Sequence, residues 1–369
     1  MKKIRILYVG LSSNIGGIET LIYNLVKDID KSKFNISFLI DKDITMPYVD
    51  YYKENNFKIY RTENRKNNYL KYIKDLKEIF LSNSFDIIHI NIMSYSLFER
   101  IILSLKYSNA KVIVHSHNGG FYKNKYLRTQ ILDKIGRIFL KKYDKKIIKI
   151  ACGKKAGNFA FKNNYEVFYN GIDIKKFKFS LKNRKEFREK YNYKNNDIVV
   201  GLVASLTNPK NHKFLIDIFY EMKKIDKNVK LLLIGDGYLK DKIKNKIIKY
   251  NLEDSVTLIE KSYEVDKIYS LMDVYVMPSL YEGLSISLCE AQINGLKCYT
   301  STEVDRESDI TGNTTFLSLK SSSKKWANEI LKDYKRDKDV MKKINKNFTL
   351  ENSQKKFYEL YLKLGGKDD

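Results

Sequence analysis

At 369 residues the chain exceeds the roughly 250 to 300 at which a single hydrophobic core stops growing, so two domains are expected. With 43% hydrophobic and 13% aromatic residues it can fill two cores, and its 31% charge is too mixed in sign for disorder. Lys+Arg 69 against Asp+Glu 44 leaves +25, which would suit nucleic acid, an anionic membrane or a phosphorylated ligand. No nucleic-acid motif accompanies that charge, and the crowding of Lys, Asn, Ile and Tyr matches AT-rich coding, so much of it reads as solvated surface.

In chain order, residues 4–9, 36–40, 87–90, 112–114 and 147–150 are short, continuously apolar and β-branched, the pattern of strands buried on both faces of a parallel sheet. Between the first two, Ile18, Leu21, Ile22, Leu25 and Ile29 fall on one helix face, with Glu19 in the first turn where the macrodipole favours a negative charge. A polar, Lys/Asn-rich stretch over 175–197 is the expected linker or domain boundary. Beyond it the rhythm restarts, with strands at 198–203, 229–234, 256–259 and 274–277 and a helix over 214–222. Two successive βα arrays predict an α/β chain of two Rossmann-like βαβ domains facing each other across a cleft. Their expected bounds are 1–174 and 175–349. A last helix at about 350–369, marked by Phe357, Leu360, Tyr361 and Leu364, could pack back on the first.

Cys152, Cys289 and Cys298 are unclustered and sit in apolar or small-residue runs, which fits buried thiols of a reducing compartment and spells out neither a disulfide framework nor a zinc site. The apolar part of the N-terminus, about five residues, is too short for a signal-peptide core. No window reaches the 18 or so apolar residues of a membrane span. A cytoplasmic location is expected.

Two segments could carry chemistry. The first βα turn, Gly10-Leu-Ser-Ser-Asn-Ile-Gly16-Gly17, leaves a strand and opens a helix, so its backbone N–H groups could hold a phosphate, although it matches neither dinucleotide nor phosphate-loop fingerprints. As a bare pattern it reads equally well as a tight turn. The second is Pro278-Ser-Leu-Tyr-Glu282-Gly-Leu-Ser-Ile-Ser-Leu-Cys-Glu290-Ala-Gln292, which follows a strand and turns at Gly283 into a helix. At 1.5 Å per residue its two glutamates stand on the order of 10 Å apart, roughly the span from sugar to ribose in an extended nucleotide-sugar. Two carboxylates eight residues apart are more often simply solvated.

These residues carry a resemblance. The chain resembles GT-B glycosyltransferases of glycosyltransferase family 4, particularly bacterial members that build capsular or exopolysaccharide units. The similarity runs through the Gly16-Gly17-Ile-Glu-Thr turn, His115-Ser-His117-Asn118, Ala151-Cys152, Asn170-Gly-Ile-Asp173, Pro209-Lys210-Asn211-His212, Ile234-Gly-Asp-Gly237 and the Glu282/Glu290 segment. It implies a retaining, metal-independent glycosyltransferase that takes a nucleotide-sugar, preferably a UDP-sugar, as donor substrate and needs no cofactor. The acceptor would be a hydroxyl of a glycan or lipid-linked molecule. It further implies that Glu290 binds ribose hydroxyls, Glu282 orients the donor sugar, and Lys210 meets the diphosphate. Gly283, Leu284 and Ser285 would offer backbone N–H groups, as would Gly16 and Gly17 from the other domain, and His117 would lie near the reacting sugar. Ser205 occupies the position where the family usually has an Arg five residues before the Lys, so half of a cationic clamp is missing. Glu260 and Ser285 replace a common Gly and Pro.

Other readings remain open from the residues. Asp41-Lys-Asp43 after a strand would suit a metal-binding pair, but the double βα array contradicts the fold that uses it. After His117, the residues Leu127, Ile131, Leu132, Ile135, Ile138 and Phe139 share a helical face amid Lys123, Lys125, Arg128, Lys134, Arg137, Lys141, Lys142, Lys145 and Lys146. This is either a core-packed helix with a solvated basic side or, over 123–146, a surface that docks on anionic lipid and makes the protein peripheral on the inner face of the plasma membrane. The non-enzyme alternative is a degenerate nucleotide-sugar-binding or polyanion-binding protein without turnover.

Overall fold

The computed structural model describes residues 2–14, 16–121, 127–260, 262 and 264–366. They form two α/β units: one comprises 1–171 with 350–369, the other 172–349.

In the first unit, among the described residues, seven strands form one parallel sheet: β1 Ile4–Val9, β2 Phe34–Asp41, β3 Lys58–Thr62, β4 Ile87–Ile92, β5 Lys111–Ser116, β6 Ile147–Ala151 and β7 Glu166–Val167, in the order β3-β2-β1-β4-β5-β6-β7. Side chains alternate across the pleat, so β1 sends Ile4, Ile6 and Tyr8 into one buried layer and Leu7 and Val9 into the other. The helix Gly17–Val26 covers the first layer, and so does the terminal helix Leu350–Leu364 through fully buried Phe357 and Tyr361.

The second unit repeats the plan with β8 Ile198–Val203, β9 Val229–Ile234, β10 Val256–Ile259, β11 Val274–Met277, β12 Lys297–Ser301 and β13 Thr314–Leu317, ordered β10-β9-β8-β11-β12-β13 and all parallel. Helices including His212–Ile225 and Ser323–Lys332 close its core around Phe219 and Trp326.

Two sequence expectations need correction. The 175–197 stretch is not a linker: it folds into the helices Ile174–Phe177 and Leu181–Lys190. Phe187 is buried, and Arg184 and Arg188 both pair with Asp273, at 2.6 and 2.5 Å. Its polar composition hid this, because only a few of its residues, Phe187, Arg188, Tyr193 and Asp197 among them, are buried and most of the others are solvated.

The helix Leu127–Leu140 is not packed through its apolar face. It turns Asp133, Gly136 and Leu140 inward, while Leu127 and Ile138 remain 64% and 73% exposed and Ile131, Ile135 and Phe139 also face out. Asp133 explains the inversion: it accepts from the Tyr95 backbone N–H at 2.7 Å and from Arg137 at 2.7 Å, so its buried carboxylate is paired. Lys123 and Lys125 lie outside the described residues. Cys152, Cys289 and Cys298 are all buried. No described helix is long and apolar enough to cross a membrane.

Candidate functional site

In open parallel sheets, ligands bind beyond the carboxyl ends of the strands where the strand order reverses. The first sheet reverses between β1 and β4, and the second between β8 and β11. The Gly10–Gly17 turn follows β1, the Pro209–His212 segment follows β8, and the Glu282–Glu290 segment follows β11.

In the first unit, β1 ends at Gly10, whose φ of +96° and whose approach to Asn91 both require glycine: a Cβ there would stand 2.2 Å from the Asn91 carbonyl oxygen. The turn is then pinned by Glu19, whose Oε1 accepts from the backbone N–H of Ser12 at 2.8 Å and from its hydroxyl at 2.7 Å. Gly16 is the extended N-cap of the helix Gly17–Val26 and supplies no side-chain cap. That helix end therefore keeps backbone donors for a ligand. Asn170 stands beside Gly17, with its buried Oδ1 unbonded in the structure.

Three of the chain's four histidines lie within β4 and at the end of β5. The Tyr8 and Tyr361 hydroxyls are 3.0 Å apart, Tyr361 Oη is 2.8 Å from His89 Nδ1, and His89 Nε2 is 3.1 Å from His115 Nδ1. The His115 ring lies 3.9 Å from that of His117, whose Nε2 is 2.9 Å from Asn91 Oδ1. Burial pushes His89 and His117 down to about 3 and His115 well below its ordinary value, with neighbouring histidines adding to the effect at His89 and His115. All three are neutral at physiological pH.

In the second unit, β8 leads to Ser205 and Lys210, and β11 leads to Glu282 through Ser285. Sequence reasoning could not say that these loops touch, and they do. Leu280 N–H donates to the Pro209 carbonyl at 2.7 Å, Asn211 donates to the Pro278 carbonyl at 3.0 Å, and Lys210 pairs with Glu282. Ser205 is exposed, with its hydroxyl 3.3 Å from that of Thr207. Gly235 explains how the loop is backed: a Cβ on it would meet the Ala204 carbonyl oxygen at 2.1 Å, so only glycine lets the Gly-Asp-Gly turn pack there.

The helix Ile286–Ile293 starts three residues beyond Gly283, which puts Glu290 in its second turn. Of the three amides expected to face a phosphate, that of Ser285 is already donated to Ser308 Oγ at 3.0 Å. Nothing stands within 4 Å of a Cβ placed on Gly283. Glu290 is half-buried and accepts from the Tyr269 hydroxyl at 2.8 Å. Burial pushes its carboxyl up to about 7, against the opposing effects of the Tyr269 hydrogen bond and Lys176.

Sequence reasoning missed Asn91, Tyr269 and the fixing role of Glu19. Only Glu19 carried a signal, its place in the first helical turn. The candidate metal pair is otherwise engaged: Asp41 pairs with Arg100 at 2.8 Å, and Asp43 accepts from Asn64 at 2.8 Å.

Residues 15–176 match the model of Glycosyltransferase Family 4, and residues 183–359 that of Glycosyl transferases group 1. The chain is 29% identical over 338 residues to the putative glycosyltransferase EpsF of Bacillus subtilis, covering 88% of this chain and 86% of that protein. It is 26% identical over 317 residues to the UDP-Gal:alpha-D-GlcNAc-diphosphoundecaprenol alpha-1,3-galactosyltransferase of Escherichia coli, covering 81% and 79%. Among solved structures, HepE of Anabaena in complex with UDP has the same fold, with a TM-score of 0.73 at 16% identity over 99% of this chain and 98% of that one.

Proposed function

The chain belongs to the family 4 glycosyltransferases, and from that premise we propose that it moves a sugar from a UDP-sugar to a hydroxyl of a glycan or lipid-linked acceptor in bacterial surface-polysaccharide synthesis. Transfer proceeds with retention and without a metal. The observation that carries the reading is the Lys210–Glu282 pair, which joins the loops that follow β8 and β11 at the strand-order reversal of the second sheet. The relatives' activities support the donor and the pathway class.

The main electrostatic task is the negative charge that grows on the departing diphosphate. Lys210 supplies a cation there, and the helices beginning at His212 and Ile286, neither capped by a side chain, supply backbone dipoles. Lys210 then shares its charge between Glu282 and the phosphate, while Glu282 takes donor-sugar hydroxyls as acceptors. Glu290 holds the ribose hydroxyls, with Tyr269 donating to one of its oxygens. The leaving phosphate accepts the acceptor's proton on the same face, so no side chain acts as nucleophile.

The lipid-linked acceptor gives the Leu127–Leu140 helix a purpose. Its outward apolar residues, flanked by exposed Arg128, Lys134, Lys141, Lys142, Lys145 and Lys146, match an anionic membrane surface, at about 1 kcal/mol per basic residue.

The deciding experiment incubates the protein with several UDP- and GDP-sugars and membrane extract, and measures nucleoside diphosphate release. Release well above that of Glu282→Ala is expected with a UDP-sugar. Release equal to that control, with nucleotide binding intact, would establish a binding protein without turnover.

A further inference from the structure

The helix Ile286–Ile293 carries Glu290 and also buries Gln292 completely. An apolar side chain would fill that place with no polar group to satisfy. The Gln292 amide is instead satisfied at both ends. Its Oε1 accepts from the Ile310 N–H at 2.9 Å, the Thr311 N–H at 3.2 Å and the Thr311 hydroxyl at 3.0 Å. Its Nε2 donates to the Ser308 carbonyl at 2.6 Å and the Leu288 carbonyl at 3.2 Å. Backbone donors at one end and backbone acceptors at the other allow the amide one orientation. A buried network satisfied in this way is rigid, and it fixes Ser308 through Thr311, beyond β12, against the helix.

The chain just before and within that stretch reaches the Glu282 turn at two points. Glu282 forms a parallel bridge with Val304. The hydroxyl of fully buried Ser308 accepts from the Ser285 N–H at 3.0 Å and donates to the Gly283 carbonyl at 3.3 Å, so one side chain closes the turn around Leu284. In a planar trans peptide the C=O and N–H point in opposite directions. The Gly283 carbonyl is drawn inward to Ser308, and the Leu284 N–H of the same peptide therefore points away from it. That peptide follows a glycine, the residue least able to hold its own backbone, and nothing stands within 4 Å of a Cβ placed there. The Ser308 hydroxyl supplies the restraint that Gly283 lacks.

We infer that Ser308 and Gln292 are positioning residues of the donor site: they engage the Ser285 amide within the protein and present the Leu284 amide in its place to an oxygen of the bound nucleotide-sugar. The ligand half of this inference rests on the transfer reading above; the hydrogen-bond frame does not.

The test is amide NMR of the protein labelled at leucine, with Leu284 assigned by its loss in Leu284→Met. Uridine and guanosine, UDP and GDP, and a panel of their sugar derivatives are added in turn. The Leu284 signal is expected to stay in place with the nucleosides. It should move downfield with a nucleoside diphosphate if the oxygen is a phosphate's, and only with a nucleotide-sugar if it is the sugar's. A signal unmoved by every ligand of the panel overturns the proposal whether or not any variant folds. Ser308→Ala should weaken binding of whichever ligand moves the signal about tenfold, as loss of a buried hydrogen bond would, and leave nucleoside affinity unchanged. Equal weakening of nucleoside and nucleotide would reveal a merely structural role and overturn the proposal, as would unchanged affinity for both. The expected shifts in a protein that consumes no donor would sink the transfer reading and leave the role of Ser308 and Gln292 standing.

Discussion

Glu290 shows how one residue can tie recognition to pH. A carboxyl that titrates near 7 is about one-tenth ionised at pH 6 and about nine-tenths at pH 8. In the proposed ribose role, hydroxyls would donate to the ionised form, so affinity for UDP should rise about tenfold over that interval relative to Glu290→Gln, whose own profile carries only the titration of the phosphate. Isothermal titration of both proteins at the two pH values checks this; parallel profiles would contradict the ribose role. By the same logic Glu290→Ala should weaken UDP binding more than Ser205→Ala, because the Ser205 side chain is exposed, with its hydroxyl beside that of Thr207. Glu282 and Glu290 were legible in the sequence. Their partners Lys210 and Tyr269 lie 72 and 21 residues from them along the chain, and nothing local encodes those pairings.

At the scale of single elements, the buried central strands announce themselves, because a strand covered on both faces must be continuously apolar. The strands that escaped notice lack that pattern. β3, Lys-Ile-Tyr-Arg-Thr, is an edge strand with charged residues, and β7 has two residues. β12 is buried yet polar, since Thr300 satisfies its hydroxyl on the Met277 carbonyl at 2.7 Å and Ser301 does so on that of Ser279. The inverted Leu127–Leu140 helix makes two predictions. Ile131→Glu with Ile138→Glu should reduce sedimentation with anionic liposomes and leave Tm nearly unchanged, as both side chains are exposed; equal partitioning of the wild type to neutral and anionic vesicles would contradict the lipid face. Gly136→Ala should cost about 1–3 kcal/mol by overpacking, because the new Cβ would lie 2.3 Å from the Tyr95 carbonyl oxygen. Denaturant titration reads that loss.

Over the whole molecule, stability should fall with acid. The histidines at 89, 115, 117 and 212 all have folded values depressed by burial, His212 to about 4. Their unfolded value is about 6.5, so their contribution is full above that pH and is lost as pH falls toward 3 to 4. Glu290 acts in the opposite sense: its raised value penalises folding above about 7, and the penalty fades as pH falls toward the ordinary glutamate range. Four groups outweigh one, so Tm should drop steadily between pH 6.5 and 4 by about the sum of the histidine terms less the glutamate term. A Tm that is flat over this range would mean that the histidines are solvated. The terminal helix belongs to the same account: Phe357 packs on His89 and His115, with ring centroids 5.9 and 5.7 Å away. Phe357→Ala should cost about 3–5 kcal/mol.

The sequence by itself determined the two parallel α/β arrays, most of their central strands, and the residue types that crowd the strand-order reversals, because burial on two faces and tight turns are local demands on composition. Tertiary structure alone decided four things: that the polar 175–197 stretch is anchored on Asp273, that the helix after His117 turns its apolar side outward, that the final helix returns to the first unit, and that Lys210 meets Glu282 while Asn91 meets His117. Each is a contact between residues far apart in the chain. Such contacts follow from which carboxylate or ring nitrogen finds a partner once the sheets have formed, and no local pattern of hydrophobicity records them.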